Sequence, residues 1–277
     1  MRPADTTASA IPRHRGRKRV KEVLALGRGR RVADGATLLI YHRVGGATSD
    51  ELDLSPEDFA RQLRMLEHHD VVSLDDALDR LDRGNTTPSV VLTFDDGFED
   101  VYENAWPLLR DRGLPFTVYL ASAYMGAAMV WEGATAQGAP GRGMSWVQLG
   151  EMLDSGLCTV GNHTHLHVRP EDLSVGELDR CNDEVRQHLG VTPQHFTYPW
   201  GVPVPDLRPA LRERFRSAST GHLGRNRPDT DRMELRRVPV RQSDPDRFFR
   251  AKVEGSLLPE RVYSQFVRAG KAAGIRP

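Results

Sequence analysis

The chain has 277 residues, 39% hydrophobic and 27% charged, which excludes a disordered polymer and suits one large domain or two small ones. Its 38 Lys/Arg balance 38 Asp/Glu, so no global field favours nucleic acid. Two cysteines, Cys158 and Cys181, make no disulfide framework. No apolar run approaches the ~18 residues of a membrane span, and no signal-like apolar core opens the chain, so a cytoplasmic location is expected.

Residues 1–35 form a basic tail, partly disordered or helical. Between Arg13 and Arg31 it carries nine Lys/Arg and one acid, Glu22. Such an arm suits a solvated tail or a peripheral contact with anionic lipid. Strand-like and helix-like runs then alternate. "ATLLIYHRV" (36–44) is a strand. The segment after Ser55 is a helix with Pro56 at its first position and Phe59, Leu63 and Leu66 on one face. "SVVLTFDDG" (89–97) is a second strand, followed by a helix over Val101–Arg112 closed by Gly113, and "PFTVYLAS" (115–122) is a third strand.

A Gly/Ala-rich loop (126–143) leads to a short helix over Ser145–Ser155 and a fourth strand, "LCTVGNHT" (157–164). The next helix begins at Ser174, which with Glu177 predicts a capping box. It buries Leu178, Cys181 and Val185 and stops at Gly190. "HFTYPWG" (195–201), a helix near Asp206–Phe215, "SASTG" (217–221) and "LRRVPV" (235–240) follow, and residues 246–277 form a helical extension. About seven strands joined by helices predict an α/β fold, a distorted (β/α)7-type barrel with its catalytic unit at 36–245. In such barrels the chemistry lies at the C-terminal strand ends. There this sequence places His42, Asp95-Asp96, His163–His167 and Pro199–Gly201.

Asp95-Asp96-Gly97 ends an apolar strand in two carboxylates. Neighbours on a strand face opposite sides, so both serve one site only if the backbone leaves the strand there, which Gly97 permits. A helix-capping turn is the plainer alternative. His163 and His167 are spaced i, i+4. On an extended strand they stand about 13 Å apart, too far for one ion, whereas in a coiled turn they are neighbours. Metal binding therefore demands that the strand end near Gly161, with His165 pointing away from the pair. Two histidines and an aspartate suit zinc or another divalent transition ion, with open positions for water and substrate. "FTYPWG" is either a turn with core aromatics or a groove wall in which the Trp200 N–H helps hold an oxyanion. His42 is either a packed strand-end residue or a general acid.

With these residues in hand, the chain resembles the polysaccharide deacetylase family, carbohydrate esterase family 4 with the NodB homology domain. "TFDDG" (93–97) matches its first motif, "HTHLH" (163–167) its H-[S/T]-x-x-H motif, and "TYPWG" (197–201) is a variant of its R-x-P-x-G motif. The resemblance implies Asp95 as general base and Asp96, His163 and His167 as ligands of a divalent ion, zinc first, with cobalt, nickel or iron as alternatives. It implies that water on the metal removes an acetyl group from an N-acetylated sugar, oligomer or glycoconjugate. Thr197 stands where the motif usually has the arginine that orients the aspartate, and neither a clear D-x-x-D-W segment nor a C-terminal L-x-H segment is evident. In these respects the chain is similar to the poly-N-acetylglucosamine deacetylase branch, where a histidine in a "YH" element supplies the acid, a role that falls here to His42. Tyr198, Pro199, Trp200 and Gly201 then border the substrate and oxyanion, and Tyr124, Trp131 and Glu132 line a groove. The competing expectations are another metal hydrolase, such as a phosphoesterase, and a catalytically impaired carbohydrate-binding relative.

Overall fold

The computed structural model describes residues 11–27, 32–134 and 139–272. The remaining parts of the basic tail, of the 126–143 loop and of the C-terminal extension lie outside the described residues. Seven parallel strands close into a barrel in chain order: β1 Ala36–Tyr41, β2 Ser89–Phe94, β3 Phe116–Leu120, β4 Cys158–Asn162, β5 His195–Thr197, β6 Ser217–Leu223 and β7 Leu235–Pro239. The expected (β/α)7 barrel is the observed fold. All residues of β1 and β2 are buried, because helices cover the outer face and side chains fill the interior. The distortion has two sources. β4 meets β5 through the single register pair Asn162↔Phe196, and the β6–β7 register shifts between Ser219 and Leu223.

The helices follow their caps. In α2 (Pro56–Leu66), Ser55 Oγ accepts the Asp58 N–H at 3.1 Å, and Phe59, Leu63 and Leu66 are buried as expected. The sequence reading passed over α3 (Leu74–Asp82), capped by Ser73 and burying Leu74, Ala77, Leu78 and Leu81. The single helix expected over Val101–Arg112 is broken into a π-turn at Val101–Ala105 and α4 (Trp106–Arg110). Pro107 has no N–H to continue one hydrogen-bond ladder through both. α5 (Trp146–Asp154) carries a full capping box from Ser145 and Gln148, and α6 (Val175–Leu189) ends at Gly190 with φ 71°. α7 covers Arg208–Arg214. Tyr41 and Phe94 stack at 5.3 Å, with Phe59 edge-on to Tyr41 at 5.4 Å. These outward aromatics close β1 and β2, so alternation directs the next residues, His42 and Asp95, toward the barrel mouth.

The described part of the basic tail contains α1 (Ile11–Leu24), packed near α8 (Asp246–Val253) and α9 (Leu258–Ala272). Lys21 is 0% exposed. Its Nζ donates to Ser243 at 2.6 Å and Asp244 at 2.7 Å, and lies 4.4 Å from the Tyr263 ring centroid. Lys252 donates to the other Asp244 oxygen at 2.6 Å, and Arg241 reaches Glu260. Arg17 is paired with Glu51. Two of the tail's cations, Arg17 and Lys21, thus bind the chain itself, and nothing here supports the membrane-contact expectation. No helix among the described residues is long and apolar enough to cross a membrane.

Burial opposes ionisation of Asp244, but the charges of Lys21, Lys252 and Arg241 more than offset it and hold the carboxyl well below its ordinary 3.8. A depressed carboxyl stabilises the fold above its unfolded pKa and loses that contribution as pH falls. Asp244→Asn should therefore lose about 3–5 kcal/mol at pH 7, the cost of stranding a buried partner. Below pH 4 its stability should fall less steeply than wild type, as urea unfolding across pH would measure.

Candidate active site

Strand β2 delivers the carboxylates. The Asp95 N–H still pairs with the Tyr41 carbonyl at 2.9 Å, and the chain then wheels out of the sheet. Asp96 itself is left-handed, φ 74°, followed by Gly97 at φ 86°. A Cβ on Gly97 would press the Leu120 side chain at 3.2 Å, so glycine answers both a dihedral and a spatial need. The turn brings both acids, buried, to one mouth.

Strand β4 ends at Asn162, and the loop beyond it coils through Thr164 (φ 71°) and His167 (φ 51°). His163 Nδ1–H donates to the Thr197 carbonyl at 2.8 Å, an assignment that leaves Nε2 facing Asp96. The Nε2 atoms of His163 and His167 each stand 3.4 Å from Asp96 Oδ1. That is long for a hydrogen bond, and Asp96 Oδ1 is buried with no hydrogen-bond partner. Ligand atoms about 2.0–2.1 Å from one tetrahedral ion would themselves lie about 3.3–3.4 Å apart. The orphaned oxygen, the spacing and the Asp/His/His donor set, all within 4.8 Å, fit a divalent ion. Burial opposes ionisation of Asp96, yet His163, His167 and His42 together hold its carboxyl well below the usual range. Burial also pushes His167 down to about 4 against the pull of Asp96, favouring the neutral ring that a metal ligand requires.

His165 is kept out of this trio. Its Nδ1 shares a 2.9 Å hydrogen bond with Ser122 Oγ and lies 3.5 Å from Glu184. Half-buried His42 follows β1. It has a buried Nδ1 without a hydrogen-bond partner, and its charge acts on Asp95, Asp96 and His167.

The arginine missing at Thr197 is supplied from strand β7. Arg237, 1% exposed, projects from β7 and donates from Nη1 to Asp95 Oδ1 at 2.7 Å and from Nε to the Thr220 carbonyl at 3.1 Å. Burial works against Asp95 ionising, but the Arg237 guanidinium, with His163 and His42, outweighs it and lowers the carboxyl pKa. Sequence reasoning missed Arg237. The signal was available: in "LRRVPV" adjacent Arg236 and Arg237 must face opposite sides of the strand, so one points inward. Thr197 instead gives its carbonyl to His163 and its hydroxyl to the Ser219 carbonyl at 3.2 Å.

The groove residues divide. Trp131 stacks on His167 at 4.4 Å, and Tyr124 lies 4.9 Å from Trp131. Trp200, left-handed at φ 62° and 40% exposed, stands 5.4 Å from His167, and its ring fills the space a Cβ on Gly133 would occupy. Arg169 lies over Trp200 at 5.2 Å and pairs at 3.0 Å with Glu132, which is an outer-rim residue with its side chain 82% exposed. Pro199 is buried, and Gly201 packs against Gly221. Tyr198 departs from the expectation: its ring is buried with Phe196, Leu211 and Phe215 under α7, so it serves the core rather than the groove. The predicted capping box at α6 is also absent. Ser174 makes no side-chain cap bond, and Glu177 turns to the histidine loop.

The sequence profile of the family described as polysaccharide deacetylase matches residues 82–213. The protein named poly-β-1,6-N-acetyl-D-glucosamine N-deacetylase of Staphylococcus aureus is 24% identical over 209 residues, 65% of this chain and 69% of the relative. Among solved structures, IcaB from Ammonifex degensii superposes with a TM-score of 0.68 at 32% identity, covering 80% of this chain and 97% of IcaB. The Streptococcus pyogenes deacetylase PplD shares the fold, with a TM-score of 0.64 at 21% identity over 78% of this chain and 97% of PplD. A barrel whose strand ends carry these acids and histidines, matched along nearly the whole of IcaB, makes this chain a member of the polysaccharide deacetylase family, hydrolases that act on C–N amide bonds.

Proposed function

We propose that the chain hydrolyses the acetamido group of N-acetylglucosamine units in a polysaccharide, through the catalytic unit at 36–245. The observation that carries this reading is the buried Asp95–Arg237 pair set beside the Asp96/His163/His167 trio: a base held ionised next to a ligand set whose carboxylate oxygen has no hydrogen-bond partner. The name of the Staphylococcus aureus relative, a poly-β-1,6-N-acetyl-D-glucosamine N-deacetylase, supports N-acetylglucosamine as the unit.

Asp96, His163 and His167 would hold a divalent ion, zinc first. When bound, such an ion polarises the acetyl carbonyl and lowers the pKa of water beside it. Asp95 accepts a proton from the attacking water as its oxygen bonds to the carbonyl carbon. Arg237 fixes the direction of that carboxylate. His42 gives a proton to the departing nitrogen as the C–N bond breaks, leaving acetate and a free amine. In this reading the Trp200 backbone N–H shares the charge on the carbonyl oxygen, while Trp131 and Trp200 give the sugar ring apolar faces to lie on.

Three variants test these roles by acetate release, with metal content measured in parallel. Asp95→Asn should keep its metal and lose about 10²–10⁴-fold in turnover; undiminished activity would remove it as base. His163→Ala should lose the bound metal, and full retention would refute the ligand assignment. In Arg237→Met the Asp95 pKa should rise, since the guanidinium that lowers it is gone. The acidic limb of the kcat/KM profile should then move to higher pH, with kcat down about 10²-fold.

A further inference from the structure

The His163–His167 loop is held by a residue that belongs, by local sequence, to another task. Glu177 is the third residue of α6, where a carboxylate ordinarily reaches back to cap its own helix. Here its Oε2 accepts two N–H groups from the loop, His165 at 3.1 Å and Leu166 at 2.8 Å. Those amides lie between the two ligand histidines, in a stretch whose left-handed Thr164 and His167 exclude strand and helix partners.

The next turn of α6 holds the preceding amide. Asn162 Oδ1 accepts the Thr164 N–H at 2.8 Å, while its Nδ2 donates to the Leu178 carbonyl at 2.9 Å and to Asn182 Oδ1 at 2.8 Å. Three consecutive amides, 164 to 166, therefore take their acceptors from α6 or from a side chain fixed to it. The loop carbonyls are held from the other side: Thr164 and His165 accept from the Ser122 and Ala123 N–H groups at 3.3 and 2.9 Å. Without the carboxylate, one part-buried and one exposed amide lose their fixed acceptor, so nothing ties this stretch to α6 at 165 and 166, and the loop is free to straighten, which carries His167 away from His163.

We propose that Glu177 is a positioning residue for the ligand pair, setting the coil that presents both Nε2 atoms to Asp96. The inference rests on the metal-site reading above, and its action is through backbone geometry rather than through charge at the ion. Three substitutions separate those causes. Glu177→Ala removes the acceptor. Glu177→Gln keeps an oxygen at the same reach without the charge. Glu177→Asp keeps the charge and withdraws the oxygen by one methylene.

Zinc affinity would be measured on apoprotein by competition with a chromogenic chelator, alongside the thermal midpoint of the apoprotein and amide exchange at His165 and Leu166. We expect Ala and Asp to weaken zinc binding about 10–100-fold, the range for partners that orient metal ligands. Gln should stay within about threefold of wild type. Amide protection at 165 and 166 should follow the same order, with the apoprotein midpoint little changed. Wild-type affinity in Ala would overturn the proposal. So would Asp binding like wild type while Gln fails, because charge would then be the cause. Should Ala not fold, the Asp and Gln pair decides alone. A wild-type chain that takes up no zinc overturns the metal reading instead, and amide exchange still tests Glu177's hold on the loop.

Discussion

A carboxylate inside a barrel is stable only if something compensates its lost hydration, and for Asp95 that is the Arg237 guanidinium at 2.7 Å. The pair spans the seam of the barrel: the carboxylate follows β2, the guanidinium stands on β7, and β1 lies between them, paired to both. Closure of the barrel is thus what brings the ions together. Arg237 is itself held by the Thr220 carbonyl, so the carboxylate is directed as well as neutralised. The Thr197 carbonyl, a backbone group any residue there would offer, fixes the tautomer of His163, and the arginine absent from the motif is replaced by Arg237 of β7.

Strain is concentrated where the chemistry is. Among the described residues, the non-glycine positions with positive φ are Asp96, Thr164, His167 and Trp200, and all four border the site. Left-handed backbone costs such residues roughly 1–2 kcal/mol each, and the costs persist only when surrounding contacts over-determine the conformation. Those contacts are visible: the loop amides on Glu177 and Asn162, His165 on Ser122, and Trp200 lodged over Gly133. A strand cannot turn two adjacent acids, or two histidines four apart, to one point. The unusual dihedrals are the means by which the strand ends bring these groups together.

On the flank, α1 closes over a buried group of ions. Lys21 and Lys252 meet on Asp244, with Arg241 and Glu260 beside them, and the Phe248 and Tyr263 rings cover the ammonium groups. A stretch whose composition suggested a solvated arm is therefore partly a structural element. Composition counts charges; it does not tell which of them find partners more than two hundred residues away.

Local sequence determined the strands, most of the helices and the first motif residues. Apolar runs, Ser caps and terminal glycines act over a few residues, and the i, i+4 histidines announced their own geometric condition. α3 is equally legible in its Ser73 cap and apolar spacing. What the tertiary structure alone decided were pairings with no local signature: Arg237 with Asp95, Glu177 with the histidine loop rather than its helix, Lys21 with Asp244, and Tyr198 in the core rather than the groove. A buried polar group takes whichever partner the closed barrel places within about 3 Å, and which one that is depends on the register of strands and helices far apart in the chain.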